Sequence, residues 1–300
     1  MFTPNPSVYG GTEHMAKLFK DYVMDSVPEL ENYYCIIAPG YLPPLQEVLE
    51  SDKKVILWIH NPFNQFEHSL LYEMSHPLYL EKIAAVVVVS NYLKALVVSA
   101  LGINKEKVHV IYNVVEPVYN NVERFKQVDK VKAIYTSSAD RGLEILIQAM
   151  PFISEDFEVN IFSNFYPELS TIDVQLDSRL NFYGTTPHKT VRKHLAESHI
   201  FAYPCQFDET FCISLGEAIS ANCLPVHSDQ RALVEIGNLH GMVYRLEQDD
   251  HVQLFAKTMT EAIKRIKTNA YDPKDSAKII NERFSLDKFI QSWITLSKSL

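Results

Sequence analysis

Residues 199–226, HIFAYPCQFDETFCISLGEAISANCLPV, decide how this chain is read. They open on a short apolar run, His199 to Cys205, closed by Pro204 and polar residues. A periodic apolar segment, Phe211 to Ala221, follows, and a second apolar run led by Pro225 ends the stretch. Strand, loop, helix, strand is the order these patterns predict, the unit of a parallel sheet. Glu209 falls in the loop and Glu217 in the helix, with seven residues between them. A helix starting near Phe211 leaves the N–H groups of Phe211, Cys212, Ile213 and Ser214 unpaired. They would aim at the crevice beyond the strand's carboxyl end, where open α/β sheets bind ligands and helix ends hold phosphate. Glu217 lies in a helix that is apolar nearly all round, and a buried carboxylate needs a partner or a ligand. The competing reading is plainer: Glu217 faces solvent and Glu209 favours the positive helix end. With 37 acidic residues in the chain, the spacing alone does not choose between them.

Composition narrows the classes. Three hundred residues predict two domains, and the apolar fraction of 47% with 22% charged residues is that of an ordinary soluble globular protein. The net charge is −9, with no basic face of the kind a nucleic-acid partner demands. Net charge leaves weak docking to a membrane surface open. Cys35, Cys205, Cys212 and Cys223 lie in apolar surroundings without metal or redox spacing, so they read as reduced buried thiols and the protein as cytoplasmic. Pro4, Pro6 and Gly10-Gly11 interrupt the start, which does not read as a signal peptide. The longest apolar run, Ile83 to Val89, is far too short to span a bilayer.

Along the first 118 residues, Gly10-Gly11 forms a loop into a helix with Thr12 as its N-cap. The loop is either a simple turn or a place where a ligand approaches the backbone closely. Strands are predicted at Tyr34 to Ala38, Lys54 to His60, Ile83 to Val89 and Val108 to Tyr112. Helices are predicted near Pro44 to Glu50 and from Asn91 to about Ala100, ended by Gly102. His60 closes its strand beside Asn61-Pro62, as a structural residue or a site residue. Residues 66 to 80 read as a loop and a partly aromatic helix. The polar, aperiodic stretch 119–130 is read as an interdomain linker.

The second domain, 131–285, opens with the strand Val131 to Tyr135 and the helix Arg141 to Met150, capped by Asp140. Arg141 in a first helical turn opposes the helix dipole, and Gly142 inside a helix costs about 1 kcal/mol against Ala. A docked anion would explain both, Arg141 gripping it and Gly142 leaving room; otherwise Arg141 turns back to Asp140 or to solvent. Strands follow at Glu158 to Phe162 and Leu180 to Tyr183, then Gly184 and a helix from Thr190 to Glu197. His227 reads as structural. Further helices are predicted at about 249–267 and 272–282, and an amphipathic one from Leu286 to Ser297. No Asp-x-Asp pair of the type that holds a divalent cation against a diphosphate is present, nor a Gly-x-Gly-x-x-Gly dinucleotide fingerprint.

The order of these motifs resembles the retaining GT-B glycosyltransferases of family 4, the glycosyl transferases group 1. The donor signature of that family, Glu-x-Phe-Gly-x4-Glu-Ala, stands here as Glu209-Thr210-Phe211-Cys212-Ile213-Ser214-Leu215-Gly216-Glu217-Ala218. Cys212 replaces a glycine, and Asn222 replaces the glycine that ends the helix, a mild change for a left-handed cap. Arg141-Gly142 matches the family's Lys-Gly, while Thr136 or Ser137 stands where an earlier arginine is usual. VVVVSNYLKALVVSALGI with KVHVIYNVVEP, and the NFYG run at Tyr183-Gly184, follow the family pattern too. The resemblance implies two Rossmann-like domains facing a cleft, with residues 286–300 crossing back to the first. It also implies a first strand that here has only Met1-Phe2-Thr3 to form it. The implied activity is transfer of a hexose from a nucleoside-diphosphate sugar to a hydroxyl of a sugar, glycan or glycolipid acceptor, with no cofactor and no metal. Glu217 would then hold ribose hydroxyls, and Glu209 those of the donor sugar. Arg141, Gly142 and the N–H groups of Phe211 to Ser214 would hold the diphosphate. His60 would line the sugar, Gly11 the cleft, and Tyr183 with Gly184 the base. Two other outcomes remain within the same reading: a weakly catalytic relative that binds a nucleotide sugar or a partner, and a nucleotide-sugar epimerase of the same fold.

Overall fold

The computed structural model describes residues 10–38, 45–62, 75–118, 122–164, 177–237, 240–246 and 250–300. The chain divides into two compact units. The first comprises Met1–Val114, Glu209–Phe211 and Phe284–Leu300, the second Val115–Asp208 and Cys212–Arg283. Met1-Phe2-Thr3, where the first strand is expected to be short or missing, and most of the 66–80 segment lie outside the described residues.

The first unit begins with α1 (Gly11–Leu18), a π-helical turn (Phe19–Val23) and a last turn, α2 (Met24–Ser26). Its N-cap is Gly10 rather than Thr12, and no side chain caps it. The sheet is parallel, in the order β1 (Tyr33–Ala38), β2 (Lys54–Ile59), β3 (Ile83–Val88), β4 (Val108–Val110). Val55 to Ile59 are all buried, the continuous apolar run expected of a strand in a parallel sheet. Helices α3 (Leu45–Glu50), α4 (Pro77–Lys82) and α5 (Asn91–Leu101) connect the strands. Helix α5 starts where Ser90 Oγ accepts from the Leu93 N–H at 3.1 Å and ends at Gly102, which is left-handed with φ 61°. The C-terminal helix Leu286–Ser297 packs in this same unit. Its Trp293 ring lies 4.7 Å from Phe19 and 5.2 Å from Trp58.

The second unit holds a six-stranded parallel sheet of β5 (Val131–Thr136), β6 (Phe157–Phe162), β7 (Leu180–Phe182), β8 (Ile200–Tyr203), β9 (Leu224–Ser228) and β10 (Met242–Tyr244). Its spatial order is β10-β9-β8-β5-β6-β7. Numbered within the unit, that is the 3-2-1-4-5-6 order of a dinucleotide-binding sheet, which reverses direction between β5 and β8. Helices α6 (Leu143–Ala149), α7 (His188–Glu197), α8 (Ile213–Ser220), α9 (Ala232–Gly237), α10 (His251–Lys267) and α11 (Lys274–Arg283) complete it. Part of the stretch read as linker is tied down here. Arg124, in the turn Val122–Phe125, donates to the carbonyls of Ser198 and Ala221, and Phe125 is buried. All four cysteines are free; three are buried and Cys35 is half-buried.

Candidate functional site

The switch point of the second sheet lies between the carboxyl ends of β5 and β8, and both strand ends run into left-handed turns. After β5, the short 3-10 turn Ala139–Arg141 leads to Gly142 at φ 94°, which is the N-cap of α6. The helix expected from Arg141 therefore begins two residues later, and Asp140 makes no cap. A Cβ on Gly142 would fall on the Pro204 carbonyl oxygen just beyond β8. Backbone, then, occupies the room that the sequence suggested for an anion. Arg141 sits at the end of its turn with its guanidinium 3.2 Å from the centroid of the Phe207 ring and 3.6 Å from Asp140. One half of the sequence alternative, the pairing with Asp140, is thus present, and the stacking on Phe207 is additional.

After β8 the chain enters α8 through Cys212, whose φ of 70° is left-handed. A family glycine at this position is explained, since an L side chain there costs roughly 1–2 kcal/mol. The helix starts at Ile213, two residues later than the apolar pattern suggested. The unpaired N–H groups are those of Ile213, Ser214 and Leu215, because the Gly216 N–H already reaches the Cys212 carbonyl at 3.4 Å. Ile213 and Ser214 are half-exposed and everything behind them is buried. Gly216 lets the helix pack on Val115, into which a Cβ would intrude. At the far end Asn222, at φ 63°, closes a Schellman motif. Its N–H bonds the Ile219 carbonyl and that of Cys223 bonds Ala218.

Glu217 is 4% exposed, so the solvent-facing reading of it is excluded. Its partner is a residue that the sequence did not single out. His188, the first residue of α7, brings Nε2 to 2.9 Å from one carboxylate oxygen and 3.1 Å from the other. Arg192, one turn on, reaches Glu217 at 3.7 Å but is held by Glu116 and the Pro117 carbonyl. The hydrogen bond to Glu217 raises the His188 pKa, against a smaller opposing effect of burial. Tyr183 is 46% exposed, with its ring stacked on Phe162 at 4.6 Å and 12°. Gly184 follows it at φ 66° with open space where a side chain would stand. At the position of the family's earlier arginine, Thr136 is half-buried and Ser137 Oγ lies 3.3 Å from the Tyr203 hydroxyl.

His60, Gly11, Glu209 and Phe211 belong to the first unit. Gly11 is the exposed first residue of α1. His60 is buried against Trp58, with ring centroids 4.6 Å apart, and burial lowers its pKa to about 3, so its imidazole is neutral. Thr210 Oγ1 donates to the His60 carbonyl at 2.5 Å, which ties the half-buried residues around Glu209 to the end of β2. Phe211 packs on Phe284 at 5.1 Å and on Tyr112 at 6.1 Å. Among the described residues no group of His, Cys, Asp and Glu gathers to hold a metal ion. No helix among them is long and apolar enough to cross a membrane.

These two parallel sheets, one with a nucleotide-type switch point, are those of the GT-B fold. Family comparisons agree along the chain. The sequence model described as Glycosyltransferase Family 4 matches residues 30–118, and that described as Glycosyl transferases group 1 matches residues 130–265. The chain is a glycosyltransferase that carries both of these family domains. No curated protein matches it in sequence. Solved structures share the fold at low identity. HepE of Anabaena, in complex with UDP, aligns with a TM-score of 0.72 at 15% identity, covering 93% of this chain and 82% of that one. A glycosyltransferase of Rickettsia africae gives 0.70 at 15%, covering 100% and 83%. Sucrose-phosphate synthase of Thermosynechococcus elongatus gives 0.69 at 15%, covering 98% and 81%.

Proposed function

We propose that this protein is a retaining, metal-independent glycosyltransferase that moves a hexose from a nucleoside-diphosphate sugar to a hydroxyl of a sugar, glycan or glycolipid. One observation carries the reading. At the switch point of the second sheet, the Arg141-Gly142 turn and the loop that feeds α8 are in backbone contact, with a buried carboxylate, Glu217, one turn inside that helix. UDP and UDP-glucose in the HepE structures support the choice of donor.

The diphosphate would rest on the N–H groups of Ile213, Ser214 and Leu215, with Arg141 swinging from Phe207 to meet it. Negative charge grows on that diphosphate as the sugar leaves. Donors fixed in advance toward it therefore lower the barrier rather than merely tightening binding. Glu217 would accept from the ribose hydroxyls, and Tyr183 with Gly184 would border the base. Glu209 is assigned the donor sugar's hydroxyls, and His60, held neutral, the lining beside them. No separate nucleophile is assigned: the acceptor attacks on the face the diphosphate leaves, and that diphosphate takes its proton. A binding protein with little turnover is the second reading, favoured by the uncharged Thr136 and by Cys212. Thermal-shift screening of UDP-, GDP- and ADP-sugars tests binding, since a ligand of the native state raises its melting temperature. Donor consumption with an acceptor present separates transfer from binding alone. No shift with any of the three would count against the donor assignment.

A further inference from the structure

We propose that His188 is a positioning residue for the nucleotide's ribose, acting through Glu217; this rests on the donor reading above. The geometry has three parts. Glu217 is inside the protein, its side chain 6% exposed, whereas the His188 side chain is 56% exposed. His188 therefore stands between the carboxylate and solvent, where a ligand would arrive. Its Nε2 lies 2.9 Å from Oε1 and 3.1 Å from Oε2, and the hydrogen bond to Oε2 restrains the carboxylate while Oε1 stays buried without a hydrogen-bond partner. The nearby cation, Arg192, is committed to Glu116 and to the Pro117 carbonyl, and stays 3.7 Å away.

A carboxylate oxygen has two lone pairs, so Oε2 of Glu217 keeps one after accepting from His188, while Oε1, buried and without a hydrogen-bond partner, keeps both. Two parallel acceptors held in one plane match the two adjacent hydroxyls of a ribose. Without His188 the carboxylate is free to rotate and to close on Arg192, and the paired acceptors are lost. His188 also stands in the first turn of α7, the end of a helix where a cation is disfavoured. Its contact with Glu217 outweighs that placement, as its raised affinity for a proton shows.

The experiment measures dissociation constants for UDP, GDP and ADP against their 2′-deoxy forms, in the wild type, His188→Ala and His188→Gln. For the base the protein prefers, the wild type should bind the ribonucleotide about tenfold more tightly, the value of one well-made hydrogen bond. His188→Ala should reduce that preference to about threefold or less, mostly by weakening the ribonucleotide. His188→Gln, which keeps an amide donor, should restore it. A preference that survives intact in His188→Ala overturns the role of His188 and leaves the donor reading standing. Equal weakening of both nucleotide forms marks a merely structural role and overturns it as well. A wild type that binds both forms alike removes Glu217 from the ribose, and this proposal with it; one that binds none of the three bases defeats the donor reading itself.

Discussion

The turns that follow β5 and β8 solve the same problem with different residues. Each must send a strand end into a helix through a left-handed residue, Gly142 at φ 94° and Cys212 at φ 70°. At Gly142 a second demand is added, because the Pro204 carbonyl occupies the place of a Cβ. At Cys212 the side chain is accommodated, 8% exposed with Sγ 3.4 Å from Ser214 Oγ. One glycine is thus required by contact as well as by conformation, while the other position bears only the conformational cost. The turns also divide the proposed work: the first supplies a side-chain cation, Arg141, and the second supplies fixed backbone N–H groups.

The sharpest way to break this contrast is Gly142→Ala. It combines a left-handed alanine, about 1–2 kcal/mol, with overpacking against backbone, about 1–3 kcal/mol. Urea unfolding should show a loss of roughly 2–5 kcal/mol; an unchanged midpoint would refute the close approach. Next in size is Arg141→Ala, expected to slow sugar transfer by about 100-fold or more, with Glu209→Gln comparable. Neither should lower the melting temperature much, since the Arg141 stacking on Phe207 is worth only about 0.5–2 kcal/mol. Wild-type turnover in either purified variant would remove that residue from the mechanism.

Histidines make the pH dependence two-sided. Burial holds His60 to about 3 and His199 to about 4, well below the ordinary 6.5. His199 Nδ1 accepts from the Lys132 N–H at 3.0 Å, so Nε2 carries the proton and donates to the Arg124 carbonyl, as the neutral ring requires. The stability these neutral rings preserve is present above pH 6.5 and falls as acid protonates the unfolded chain. Each should cost about 1.4 kcal/mol per pH unit between 6.5 and its folded value. His188 has the opposite sign. Its contribution is whole below 6.5 and disappears as pH rises through its raised folded value. Unfolding midpoints measured from pH 4 to 9 should show both limbs, and His188→Gln should remove the alkaline one. The smallest effect is Cys212→Gly, a gain of about 0.5–1 kcal/mol from relieved strain. A loss instead would mean that packing of the thiol outweighs the backbone cost.

Much of this architecture was legible because parallel strands are continuous apolar runs. Val55 to Ile59 and Ile83 to Val88 need no alignment to be seen, and Ser90, Gly102 and Asn222 mark helix ends by their own chemistry. The short edge strand Met242–Tyr244 went unread, since three residues carry no period. Both site helices begin two residues later than the sequence suggests, for one reason. Cys212 is not a residue that announces a left-handed backbone, and Gly142 fits the interior of a helix in the sequence as readily as the cap it forms. Glu217 was legible as a buried acid, but His188 was not, because 29 residues separate them and only the fold pairs them. Arg124 was likewise hidden in a polar stretch whose aperiodicity suggested a linker.

The most direct measurement is calorimetric titration of nucleoside diphosphates and the matching monophosphates, for UDP, GDP and ADP, into wild-type protein and Arg141→Ala. The wild type should bind one diphosphate at least tenfold more tightly than its monophosphate, and Arg141→Ala should lose most of that difference. An Arg141→Ala protein that still prefers the diphosphate by the wild-type margin would contradict a phosphate site built from this turn and the start of α8.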